Sequence, residues 1–163
     1  MSVVAVNDVE NALVALLQSV MPGAYGTPVD VKTIGQKDFT DDGAVTLRPP
    51  AVRIRFAGAV YDQLRDNQRL TYEAGMTFEA WCYDTNLRSP ALARLASEAL
   101  AMAVIEQVAG ARLRLADTTE TLPIGLNSVE PLMSDEDPAD QLYIVIFTVK
   151  GIAQFAGQNA RPS

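Results

Sequence analysis

The 163-residue chain contains no histidine. Every mechanism that uses an imidazole as base, acid, nucleophile or metal ligand is therefore excluded. There is one cysteine, Cys82, which cannot close an internal disulfide. It falls on the apolar alternation of a strand and reads as a buried thiol in a reducing compartment. No basic neighbour in the sequence activates it as a nucleophile. Basic charge is also scarce: 13 lysines and arginines face 20 acidic residues, for a formal charge of −7, so phosphate backbones should be repelled. The opening MSVVAVNDVENALVALLQSV has no basic leader and carries Asp8 and Glu10 inside its apolar run. Neither a signal peptide nor a membrane span is expected there, and the chain should be made and kept in the cytoplasm. Glycine-rich phosphate loops, dinucleotide fingerprints, nucleophile elbows, internal repeats and low-complexity tracts are all missing.

The acidic residues that are present cluster in turns. Asp135, Glu136, Asp137 and Asp140 lack the alternate-ligand spacing and glycine of a calcium loop, and Pro138 stiffens the stretch as a plain turn. Asp41 and Asp42 before Gly43 read as a turn in preference to a paired-carboxylate site. Arg53, Arg55, Arg65 and Arg69 read as the solvated side of two strands and their loop, with a small anion-binding patch as the alternative. No catalytic residue, metal or cofactor is expected, and the chain does not read as an enzyme. A small carboxylate-based enzyme or ligand-binding domain, the alternative of another class, would need the acids to converge in a deep polar pocket.

What the chain does have is pattern. With 48% hydrophobic and 20% charged residues it has the balance of a folded domain, one core over 1–156 followed by a flexible tail, 157–163. Asn7 and Glu10 have capping-box spacing, and Val9, Leu13, Leu16, Leu17 and Val20 share a helical face until Pro22 and Gly23 stop it. A short strand is expected at Val29 to Ile34, then a turn-rich stretch. Val52, Ile54 and Phe56 alternate with Arg53 and Arg55, and Met76, Phe78, Ala80 and Cys82 alternate with Thr77, Glu79, Trp81 and Tyr83, which is the period of half-buried sheet. Between them Gly58 to Asn67 is expected to project as a loop, and the second strand, Arg69 to Tyr83, to bend at Ala74 and Gly75.

Ser89 and Pro90 start a helix that should end at Ala109 and Gly110. Its first half turns Leu92, Leu95, Ala96 and Ala99 away from Arg94, Ser97 and Glu98. In its second half Leu100, Met102, Val104, Ile105 and Val108 cover nearly the whole circumference, which calls for a second layer from the fold or from another subunit. Arg112 to Leu115, Leu122 to Val129 and Leu142 to Val149 read as further strands, the last of them apolar on both sides like a central strand. The order predicts an α+β fold, two main helices packed on a largely antiparallel, mixed β-sheet.

Four runs carry a resemblance: AVRIRFAGAVYDQ, QRLTYEAGMTFEAWCYDTNLRS, PALARLASEALAMAVIEQVAG and QLYIVIFTVKG. Over roughly residues 8 to 153, in its apolar positions and in Gly58, Asn86 and Arg88, the chain resembles the tail terminator (tail-completion) family of Mu-like bacteriophages and prophages. The resemblance implies a tail-terminator-like fold and a virion structural protein of the tail or neck, assembled in the host bacterial cytoplasm. It implies a homo-oligomeric ring, usually of six subunits, on the head-proximal end of the tail tube, which ends tube growth and offers a docking surface to the head connector. Its partners would be further copies of itself, the tail tube protein with any sheath, and the head–tail connector. DNA would pass through the lumen without specific binding, and no membrane would be involved. A head–tail neck or connector completion protein is the alternative. By that analogy Tyr61, Asp62, Gln63, Leu64, Arg65 and Arg69, Phe39 in the preceding stretch, and Leu100, Val104, Ile105 and Val108 on the long helix are candidates for the assembly interface.

Overall fold

The computed structural model describes residues 5–35, 49–64, 70–84, 90–116, 118–132 and 142–155. The first apolar stripe forms helix α1, Val6–Tyr25, which buries Val9, Leu13, Leu17 and Met21 at a spacing of four. Its start departs from the expected capping box. Ala5 is the N-cap and makes no side-chain cap bond, while Asn7 and Glu10 lie within the helix. The amides of Asp8 and Val9 both reach the Ala5 carbonyl at 3.1 Å, so the backbone itself satisfies them. Nor does Pro22 stop the helix. It withholds one amide from the Gln18 carbonyl, and the helix continues to Gly26, whose left-handed φ of 81° closes it with an amide bond to the Pro22 carbonyl.

Strand β1, Asp30–Thr33, runs parallel to β2, Ala51–Gln63, pairing with it from Asp30–Ala51 to Thr33–Ile54. Strand β3, Leu70–Tyr83, returns antiparallel along the whole of β2. The expected projecting loop is thus mostly strand, because Gly58 to Gln63 pair with Thr77 to Tyr72. A bulge between Phe56 and Gly58 makes this possible. Gly58 takes a φ of 128°, open to glycine alone, and the extra residue Ala57 is absorbed so that pairing resumes. The bend expected at Ala74 and Gly75 does not occur; β3 pairs without a shift from Leu70 to Tyr83 with β5.

Helix α2, Pro90–Val108, ends as expected, with Gly110 at φ 76°; Ser89 lies outside the described residues. Arg112 to Leu115 do not form a strand. A single bridge between Arg114 and Glu120 holds a tight turn, and the buried Thr121 hydroxyl accepts the Leu113 amide at 3.0 Å. Strand β4 is Gly125–Leu132, later than expected, and β5 runs past Val149 as Leu142–Phe155. The sheet order is β1-β2-β3-β5-β4, with one parallel pair and the rest antiparallel. The last strand in chain order therefore sits inside the sheet.

Both helices lie on one face: α1 over β1 and β2, α2 over β3 and β5, and each against the other. The core is centred on Phe78 and Phe147, both fully buried and stacked at 6.2 Å, with Phe56 tilted against Phe78 at 5.6 Å. The fold itself supplies the second layer that α2 calls for, since Leu100, Ala101, Val104 and Val108 are buried against the sheet and α1. The first half of α2 is turned differently from the expected amphipathic face. Ser97 is fully buried while Leu95 is 58% exposed, because Ser97 is held inward by the chain end of β3.

Candidate functional site

Three polar connections hold the framework. Arg53, expected in solvent, is 4% exposed. Its guanidinium donates to the Asp30 carboxylate at 2.8 Å, the Asp30 carbonyl at 2.7 Å and the Val52 carbonyl at 3.2 Å. This ties the short parallel strand β1 to β2. Burial alone would raise the Asp30 carboxyl, yet the hydrogen bond and charge of Arg53, helped by Lys32, hold it below the ordinary carboxylate range. Arg55 stays on the solvent side, 3.4 Å from Glu79, while Arg65 and Arg69 lie outside the described residues. An anion-binding patch would have to do without Arg53, whose donors are already engaged.

At the end of β3, the Asp84 amide donates to Ser97 Oγ at 3.0 Å and the Ser97 hydroxyl donates back to the Asp84 carbonyl at 2.6 Å. The Tyr25 hydroxyl, from the last turn of α1, reaches the Asp84 carboxylate at 2.5 Å. One residue thus joins both helices to the sheet. Burial, then the hydrogen bond and charge of Asp84, push the Tyr25 phenol well above its usual range. On α1, burial raises the Glu10 carboxyl against a Thr33 hydrogen bond that lowers it. Cys82 is fully buried, which raises its thiol far from the reactive range. The two acidic clusters at 41–42 and 135–140 lie outside the described residues, and among the described residues no group of acids or sulfur ligands could hold a metal ion. No described helix is long and apolar enough to cross a membrane.

The exposed apolar surface is more telling. Among the described residues β1 pairs only with Ala51 to Ile54, and β4 only with the Leu142 to Thr148 part of β5, so the described sheet narrows to a three-stranded ribbon of β2, β3 and β5 at one end. That ribbon exposes Val60 (69%), Tyr61, Leu64 and Ile152, with the Tyr61 ring edge-on to Tyr72 at 6.3 Å. At the opposite edge, β4 exposes Leu126, Val129 and Leu132. A third set, Leu95 and Met102, lies on the outer side of α2.

Of the residues expected at an interface, Tyr61, Asp62, Gln63 and Leu64 stand exposed together at the end of β2. Phe39, Arg65 and Arg69 lie outside the described residues. Leu100, Val104 and Val108 lie in the chain's own core, and Ile105 is half-buried. Sequence reasoning missed Val60, Ile152 and the apolar residues of β4. The shift of alternation at the bulge hid Val60, and Ile152 lay beyond the expected end of its strand.

No protein-family model matches the chain, and no curated protein matches it in sequence. In three dimensions it is similar to a chain of the virion of the native gene transfer agent (GTA) particle, with a TM-score of 0.55 and 13% identity over 94% of this chain and 100% of the other. At that identity, what the two chains share is the fold.

Proposed function

We propose that the chain is a structural subunit of a phage-like particle, a tail terminator that forms a ring, six copies in the family it resembles, on the head-proximal end of the tail tube. The observation that carries this reading is the nearly full-length likeness to a virion chain. The sequence resemblance to tail terminators narrows it. The separate exposed apolar sets on the ribbon and on β4 suit a subunit that contacts neighbours on two sides, and the net charge of −7 suits a channel through which DNA passes without sticking. In this reading the partners are further copies of the chain, the tail tube protein and the head–tail connector, and the protein resides in the virion after assembly in the host cytoplasm. Its work is binding and termination, with no catalytic step.

The test is the mass of the purified chain by light scattering across a concentration series, alone and with tail tubes purified from the same particle. A ring-sized species, or a monomer that caps tube ends and halts their growth, supports the terminator. Binding to the portal or connector without binding to tubes would assign it to the neck instead. A monomer indifferent to both refutes an assembly role.

A further inference from the structure

Among the described residues, the two edges of the sheet have open stretches that match. On one side, β1 ends its pairing at Ile54, and among the described residues no strand lies along β2 from 56 to 63. On the other side β4, Gly125–Leu132, is the outermost strand, and most of its residues are exposed. An uncovered edge is a template for another strand. We propose that the open edge of β2 in one copy receives β4 of the next copy, antiparallel, so that the sheets of neighbouring copies join into one. This inference rests on the ring reading above and names its contact.

Direction, length and stagger support the second copy as the occupant. In the order β1-β2-β3-β5-β4, the antiparallel pairings make β4 run opposite to β2, so an incoming β4 continues the antiparallel sheet. The open edge 56–63 and β4 at 125–132 are equal in length. Counted residue by residue, with Ala57 opposite Pro131 and the bulged Asn127 opposite Tyr61, full overlap places Val60 opposite Ser128. Both lie on the face away from the helices, Val60 beside Gly75 and Ser128 beside Ile146. The neighbour's β4 then stacks end to end with β1 along β2, and β1 stops it from sliding further.

That overlap fixes a geometry. Within one copy Ser128 is level with Ile146, Glu79 and Arg55, whereas across the contact it is level with Val60. The step is four ladder rows, since Ala57 is bulged out, or about 13 Å along the strand at the usual rise. Each copy adds β2, β3, β5 and β4 across the sheet, about 19 Å at the usual strand spacing. The ratio tilts the strands by about 35° to the axis of a closed assembly, within the range that closed sheets adopt. The two edges differ, so the contact is head to tail and closes into a ring when the rotation permits.

The experiment uses the sample in which light scattering shows more than one copy. Val60→Cys and Ser128→Cys are made as separate full-length variants, mixed and oxidised with copper phenanthroline, with Cys82 silent in the core. The expected result is a disulfide-linked dimer from the mixture and none from the wild-type chain, with a ladder of multimers from the doubly substituted chain. Val60→Lys, at a position where the fold has room for it, should keep the wild-type melting curve and lower assembly by about tenfold or more. If assembly is intact in Val60→Lys and no mixed disulfide forms, the edge contact is overturned while the ring stands. If the wild-type chain never exceeds one copy, with or without tubes, the ring reading and this contact fall together.

Discussion

Replacing Asp30 by asparagine removes the charge opposite Arg53 while keeping the shape of the side chain. Breaking a fully buried ion pair from one side costs about 3–5 kcal/mol, and an exposed pair is worth about 0–1 kcal/mol. The Arg53 side chain is 5% exposed and that of Asp30 is 36% exposed, so the pair lies between these limits. Two peptide carbonyls remain with the guanidinium, and the asparagine oxygen can still accept. We expect Asp30→Asn to cost about 2 kcal/mol near neutral pH, a fall in Tm of about 4–8 °C for a chain of this size. The pH dependence gives the sign. The folded carboxyl lies below the ordinary aspartate value of about 3.9, so its contribution is complete above that value and is lost as pH falls through the lower, folded one. Urea unfolding of the two proteins should therefore show a constant gap from neutral pH to about 5, closing below about 4. A gap that is absent near neutral pH, or that persists unchanged in acid, would refute the account of Arg53 as a charge held by Asp30.

Three further outcomes are expected. Gly58→Ala should cost about 1–3 kcal/mol by chemical denaturation, from backbone strain at φ 128° with nothing for the new methyl to strike. Gly75→Ala, whose added carbon would sit 3.7 Å from the Val60 carbonyl oxygen, should cost well under that; equal losses would contradict the assignment of the bulge. Phe147→Ala, which removes one of the two stacked rings at the centre of the core, should cost about 3–5 kcal/mol, and a loss under about 1 kcal/mol would show that the core is centred elsewhere. Cys82, fully buried with its thiol raised by that burial, should resist a maleimide reagent in the native protein and react at the rate of unfolding in urea, so prompt labelling of the native chain would disprove its placement.

The sequence made legible those features set by local rules. Strict alternation from Met76 to Cys82 placed β3, and glycine after an apolar helical run placed the end of α2 at Gly110. Features set by a distant partner were hidden. Arg53 looks solvated until Asp30, 23 residues earlier, is brought beside it by a parallel strand that composition does not announce. Asn7 and Glu10 have the spacing of a cap, yet the helix already starts at Val6, with the Asp8 and Val9 amides on the Ala5 carbonyl. The bulge sits at Gly58, not at Gly75, because register is decided jointly by two strands, and a glycine in one of them does not say which will give way. Leu100, Val104 and Val108 call for a second layer from the fold or from another subunit, and only the assembled fold decides between them, by bringing β3, β5 and α1 from distant parts of the chain onto α2. At the candidate interface, exposed Tyr61 to Leu64 could be anticipated from their place in the expected loop, Gly58 to Asn67, whereas the exposed apolar residues of β4 emerge only once β5 is seen to lie inside it.

The interior position of β5 sets the order in which a nascent chain can become a sheet. Strands β1, β2 and β3 leave the ribosome first and can pair among themselves, but β4, made next, has no neighbour until β5 is inserted between it and β3. An unfinished or truncated chain thus has a partial sheet whose β3 edge is bare and whose Phe78 lacks its stacking ring. Completion of one segment, 142–155, simultaneously fills the core, seals β3 and installs β4 at the outer edge. In the assembly proposed above, a molecule that lacks this segment would have no ordered β4 to offer a neighbour, so completion of the chain would itself act as a checkpoint against incomplete copies.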